Sequence, residues 1–133
     1  MEKKIIYSEI APHPVGPYSQ AVACGGFLFT AGQIGIDPKT GKLAGDGVRE
    51  QALQVMKNLS AVLSEAGASF DDVVKSTIFL KDMGDFSAVN EIYGQYFRQS
   101  HPARSTIQVA ALPLGALVEI EVIAMVPSGS PSF

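Results

Sequence analysis

Eight apolar residues spaced by threes and fours (Val48, Ala52, Val55, Met56, Leu59, Val62, Leu63 and Ala66) make one unbroken stripe, the strongest constraint in this chain. The spacing predicts an amphipathic helix, with Asp46 as its N-cap and Gly67 as its stop. A stripe of this kind has to be buried against a second layer, and the flanking sequence offers strands for that layer. Residues 20–24 and 27–34 are strand-like runs separated by Gly25-Gly26, a two-residue hairpin turn. Ahead of them a short apolar run at 4–7 gives way to Pro12, Pro14 and Pro17, which force an extended, irregular connection. Asp37-Pro38-Lys39-Thr40-Gly41 reads as a turn. After the helix, residues 73–81 are rich in β-branched residues and lie between Asp71-Asp72 and Asp82-Met83-Gly84, as a strand would. A second helix is expected from Asp85 as N-cap, with Phe86, Val89, Ile92, Tyr93, Tyr96 and Phe97 along one side, ending before His101-Pro102. Residues 104–110 and 117–126 read as two more strands, joined across Leu112-Pro113-Leu114-Gly115. The expected order is β-β-β-α-β-α-β-β, an α+β architecture of two helices on a sheet.

A chain of 133 residues has the length for a single core, so one domain is expected over 1–126. The segment 127–133 is rich in Pro, Ser and Gly and is expected to fray. With 47% hydrophobic and 17% charged residues the composition is that of a folded globule. A formal net charge of −3 leaves no basic footprint for nucleic acid or for an anionic membrane. Cys24 stands alone, which excludes an internal disulfide and a multi-cysteine zinc site, and it reads as a small packed residue. His13 and His101 adjoin prolines with no second ligand at metal spacing, so no metal is expected. Asn58-Leu59-Ser60 matches the glycosylation triplet but falls inside the first helix. No phosphate-binding glycine motif, apolar run of spanning length or signal-peptide pattern is found, and a soluble, reduced, cytoplasmic setting is expected.

Two helices cover only one face of such a sheet. In the last strand Val118, Ile120, Val122 and Ala124 take one face; Glu119, Glu121, Ile123 and Met125 take the other. Ile123, Met125 and Phe79 would leave the second face with an apolar patch, so burial against another subunit is expected there. Glu119 and Glu121 share that face, and a carboxylate in so apolar a strand needs a partner or a wet cleft. Arg104, with Thr106 and Gln108 on its own face of the preceding strand, approaches one of these acids if the two strands pair antiparallel. The result is either an ordinary ion pair or a pocket where the guanidinium holds a substrate carboxylate and a glutamate moves protons. Tyr18 follows Gly16-Pro17 on a rigid loop, where it is either a packed ring or part of a site. Gly32, after Ala31 and inside a strand run, marks a bulge or a close backbone approach. Asn90 sits beside the apolar stripe of the second helix, a position usual for a surface or capping side chain.

Taken in order, Gly16-Pro17-Tyr18-Ser19-Gln20-Ala21, Gly32-Gln33-Ile34, Asp85-Phe86 with Val89-Asn90, Pro102-Ala103-Arg104-Ser105, Val109-Ala110-Ala111-Leu112-Pro113 and Ile120-Glu121 form one pattern. It strongly resembles the reactive intermediate deaminase A (RidA, YjgF-type) family over about residues 3–126. The resemblance implies a chorismate-mutase-like homotrimer with clefts between adjacent subunits. It implies hydrolysis of 2-iminopropanoate and 2-iminobutanoate, formed from 2-aminoacrylate and 2-aminocrotonate, to 2-oxo acids and ammonia without metal or cofactor. By motif, Arg104 is the carboxylate-binding residue and Glu121 the one that activates water and assists proton transfer. Tyr18, Gly32 and Asn90 line the cleft, and Thr106 supplies backbone contacts. Two positions depart from the family pattern: Ala31 stands where many members have serine, and Thr106 where cysteine is frequent. Loss of the hydroxyl at residue 31 keeps open a second reading, a non-catalytic protein that senses 2-oxo acids or similar small carboxylates. An RNA-cleaving role, sometimes attached to relatives, is disfavoured by the acidic balance.

Overall fold

The computed structural model describes residues 2–126; the expected tail at 127–133 lies outside them. The elements in chain order are β1 (Lys4–Ile6), β2 (Ala21–Cys24), β3 (Phe27–Thr30), β4 (Gln33–Ile34), β5 (Ile36–Asp37), β6 (Lys42–Leu43), α1 (Val48–Glu65), β7 (Val73–Leu80), α2 (Phe86–Gly94), β8 (Ala103–Gln108) and β9 (Val118–Met125). The main sheet runs β1-β2-β3-β9-β7-β8, with β4 also paired to β9, while β5 and β6 form a separate small ribbon around the expected turn. All pairs in the main sheet are antiparallel except β7–β8, which is parallel with α2 as its connection. The architecture is α+β, two helices on one face of a mixed sheet.

The helix-facing side of β9 (Val118, Ile120, Val122 and Ala124) is buried, as are Leu28, Ile78 and Leu80 on the neighbouring strands. The α1 stripe closes over them through Val55, Met56, Leu59, Val62 and Leu63. Each such side chain stabilises the fold by roughly 1.5–3 kcal/mol. Gly35 lies against the backbone of Gln51, where a Cβ would come within 2.7 Å of its Cα, so helix and chain meet at a distance only glycine permits. Two α1 residues outside the apolar stripe fasten the segments around it, Gln51 those after β6 and before β9, Asn58 the β4–β5 region. Gln51 donates to Gly45 O at 2.9 Å and accepts from Leu117 N at 2.8 Å; Asn58 donates to Ile34 O at 3.2 Å and Ile36 O at 2.9 Å. A buried Asn58 engaged in this way is no glycan acceptor.

Several local expectations are corrected. The α1 N-cap is Gly47, whose N–H donates to Glu50, in place of Asp46. Asp85 is the N-cap of α2 as expected, but its side chain makes no cap hydrogen bond; a 3-10 turn over Met83–Asp85 precedes the helix, and there Asp82 accepts from Gly84 N. The helix stops at Gly94, although Phe97 beyond it is still buried against Tyr93 and Phe70. The run 27–34 is two strands. Phe29 pairs with Ile123 and Gln33 with Ile120, so four steps on one strand face three on β9, a one-residue bulge at Ala31-Gly32. Thr30 Oγ1 accepts from Val122 N at 3.0 Å and holds the sheet together across the bulge.

The face away from the helices is open in this chain. Ile5, Phe27, Phe29, Ile107 and Met125 are exposed on it, alongside the half-buried Phe79 and Ile123.

Candidate functional site

The loop before β2 is held by one buried side chain. Gln20 accepts from Ser8 N at 2.6 Å and donates to Ser8 O and Pro12 O, both at 3.0 Å. This anchor and the three prolines fix the loop that carries Tyr18, whose N–H donates to Gly16 O at 2.8 Å. Tyr18, Gly32 and Glu119 meet at a cavity of about 210 Å³, which Pro12, Val15, Ile34, Ile36, Pro113 and Leu114 also line. The β4 bulge presses Gly32 against Glu119: a Cβ at residue 32 would collide with the carboxylate. Ala31 is committed to the fold at this point, since its N–H donates to Gln20 O at 2.8 Å.

Glu119 is half-buried. Burial pushes its carboxyl pKa up, and the neighbouring negative charge of Glu121 raises it further. Glu121 itself is exposed and is not among the residues of the cavity wall. Alternation along β9 puts both acids on one face and cannot separate them. The pairing Ile34↔Glu119 brings only the first of them to the loop that holds Tyr18.

Arg104 lies elsewhere. The strand β7 separates β8 from β9, so the antiparallel neighbour expected for Arg104 is absent, and β8 runs parallel at the sheet edge. In register, Arg104 aligns with Ser76 and Val122, on the helix side, whereas Glu121 aligns with Thr77 and Ser105 on the open side. Within the described residues no carboxylate reaches Arg104, which corrects the expectation of an ion pair with either glutamate. Its Nη1 donates to Asn90 Oδ1 at 2.7 Å, and its guanidinium lies 5.0 Å from the Tyr93 ring centre and 5.5 Å from that of Phe86. Tyr93 is fixed in turn by a 2.6 Å hydrogen bond with Ser76, and burial raises its pKa despite that bond and the nearby cation. The fork is thus oriented by α2 and keeps its charge available for an anion.

Two residues on and on the same face, Thr106 Oγ1 is shielded and has no hydrogen-bond partner. A hydroxyl left unpaired in such a place costs about 1 kcal/mol or more. Thr106→Val should therefore raise the unfolding free energy by about 1 kcal/mol, read as a higher denaturant midpoint at unchanged slope. A lower midpoint would mean that the hydroxyl has a partner in solution.

The chain thus carries two separate groups of candidate residues: Tyr18, Gly32 and Glu119 at the cavity, with Ala31 next to Gly32 in the chain but not in the cavity wall, and Arg104, Asn90 and Thr106 at the far edge of the sheet. Gln20 and the rim residues Val15 and Leu114 were not singled out by sequence as parts of a site, and of the two candidate acids the motif pointed to Glu121. The signal for Glu119 was present in the period-two pattern; the choice between it and Glu121 was not. Among the described residues there is no cluster of three His, Cys, Asp or Glu able to hold a metal ion, and no helix is long and apolar enough to cross a membrane.

The chain is similar in sequence and fold to known proteins. The family described as Endoribonuclease L-PSP matches residues 8–126. A RutC family protein of Synechocystis is 58% identical over 96% of this chain and 100% of its own length. The human 2-iminobutanoate/2-iminopropanoate deaminase is 48% identical over 92% of this chain and 90% of its own. The crystal structure of Escherichia coli TdcF with bound serine superposes with a TM-score of 0.88 at 42% identity, covering 93% of this chain and 98% of that one.

Proposed function

This chain belongs to the RidA/YjgF/RutC family, and from that premise we propose that it is an imine deaminase acting on small 2-imino acids such as 2-iminopropanoate and 2-iminobutanoate. The observation that carries the reading is the convergence of Tyr18, Gly32 and the half-buried Glu119, whose pKa burial raises, on one cavity. The relatives named for this activity support it, as does the serine bound to the E. coli relative, a small amino acid of similar shape.

The site is completed between copies of the chain. Arg104 lies on the other face of the sheet from Glu119, so one copy supplies the guanidinium with Asn90 and Thr106, and its neighbour supplies Glu119 with Tyr18 and Gly32. The exposed Phe27, Phe29, Ile107 and Met125 give the homotrimer its contact surface. Arg104 grips the substrate carboxylate with paired N–H donors and so aims C2 at a water beside Glu119. As the water oxygen bonds to C2, the ionised Glu119 takes a proton from the water and passes it to the imine nitrogen, giving the carbinolamine. Glu119 then takes the hydroxyl proton and returns it to the amine nitrogen as the C–N bond breaks, so that nitrogen leaves as ammonia, the carbon becomes a ketone and Glu119 is ionised as it began. Imine plus water balances 2-oxo acid plus ammonia. A carboxyl group with a raised pKa suits both directions of proton transfer, and we assign this part to Glu119 in place of Glu121.

The test is a coupled assay in which a serine/threonine dehydratase releases the imine and semicarbazide competes for it. The wild-type protein is expected to divert imine to free 2-oxo acid and lower the semicarbazone yield. Binding of 2-oxobutanoate without any diversion would replace the enzyme with the sensor protein that Ala31 leaves open.

A further inference from the structure

The wall of the cavity that Glu119 lines is mostly apolar, and we infer that Leu114 is a specificity-determining residue there, favouring 2-imino acids with larger apolar side chains over the smallest ones. The inference rests on the deaminase reading above and concerns the same site.

Leu114 combines two unfavourable features. It is 70% exposed, and its φ of 59° is a left-handed conformation that leucine rarely adopts. A turn optimised for stability alone would carry glycine or asparagine at this position. Val15, which lines the same cavity from a different loop, is 94% exposed. Two unconnected loops thus each present a branched apolar side chain to one opening, beside the apolar Pro12, Ile34, Ile36 and Pro113. The polar groups proposed for the chemistry, Tyr18 and Glu119, belong to the same wall. A ligand whose reacting carbon lies by Glu119 therefore extends its side chain along an apolar surface.

Size points the same way. At the volume of a water molecule in the liquid, about 210 Å³ accommodates roughly seven heavy atoms. With the carboxylate held by Arg104 outside this cavity, an alanine-derived imine places only three heavy atoms in it. A leucine-derived imine places about six, enough to reach the apolar rim.

The test is the ratio of kcat/KM for the leucine-derived imine to that for the alanine-derived imine, both generated by an amino-acid oxidase with catalase present. It is measured for the wild type and for Leu114→Asn. Asparagine accepts the left-handed conformation, so the backbone of the turn is retained while the apolar surface is lost. The ratio is expected to fall about tenfold in the variant, the usual scale for one apolar contact in a pocket. An unmoved ratio would overturn the inference, whether the two rates stay the same or fall together, and a lowered unfolding midpoint beside it would make Leu114 a structural residue of the turn. If the wild type hydrolyses neither imine, the deaminase reading fails, and the inference with it.

Discussion

Arg104→Ala is expected to abolish imine hydrolysis, with a loss of at least 10³-fold in kcat/KM, while the protein keeps its assembly state. The guanidinium is held at the sheet edge by Asn90 and the rings of Phe86 and Tyr93, contacts worth about 1 kcal/mol each at most, so its removal should not unfold the chain. Arg104→Lys keeps the charge but loses the planar fork and should still fall by more than about tenfold. The decisive form of the experiment mixes chains. If Arg104 of one copy works with Glu119 of another, unfolding and refolding equal amounts of inactive Arg104→Ala and Glu119→Gln chains together restores sites built from the two intact halves. Random assembly of a cyclic trimer recovers about a quarter of wild-type activity. Zero recovery from properly assembled mixtures would place both groups in one chain's site, or make Arg104 structural. Mass photometry or gel filtration on the same samples separates these outcomes from failure to assemble.

Glu119→Gln should lower kcat by about 10²-fold or more while leaving KM nearly unchanged, because glutamine keeps the shape and loses the proton. Its effect on stability has the opposite sign. Burial and the charge of Glu121 raise the Glu119 pKa, so the folded chain binds this proton more tightly than the unfolded chain. The contribution of Glu119 therefore favours folding below the ordinary carboxylate range and is lost as pH rises through the raised value. Once ionised the group opposes folding, and the neutral glutamine does not. The unfolding midpoint of Glu119→Gln should exceed that of the wild type at about pH 7.5, and the gap should close by about pH 4. Glu121→Gln removes the neighbouring charge, so the Glu119-dependent limb of the pH–rate profile should move to lower pH while turnover survives. Loss of turnover in Glu121→Gln with retention in Glu119→Gln would return the proton-handling role to Glu121.

The elements were legible wherever one periodicity ran unopposed. The α1 stripe and the alternation in β9 are burial patterns, and burial is what the structure realises at Val55, Leu59, Leu63, Ile120 and Val122. Boundaries failed where backbone chemistry decides locally. Gly47 takes the cap that Asp46 was expected to provide, and α2 stops at Gly94, short of Tyr96 and Phe97. The bulge at Gly32 was announced by a glycine in a strand, but what approaches that glycine, the Glu119 carboxylate, comes from the far end of the chain.

By itself the sequence determined the layer architecture, the motif residues and the family they resemble, because periodicity, turn chemistry and residue type are local properties. Only the tertiary structure decided how the strands are ordered. Placing β7 between β8 and β9 sets Arg104 and Glu119 on opposite faces of one sheet, and the β4 register brings Glu119, in place of Glu121, to the cavity beside Tyr18. Strand order and register depend on pairings between residues far apart in the chain, and period-two alternation, identical for every second residue, carries no information about them.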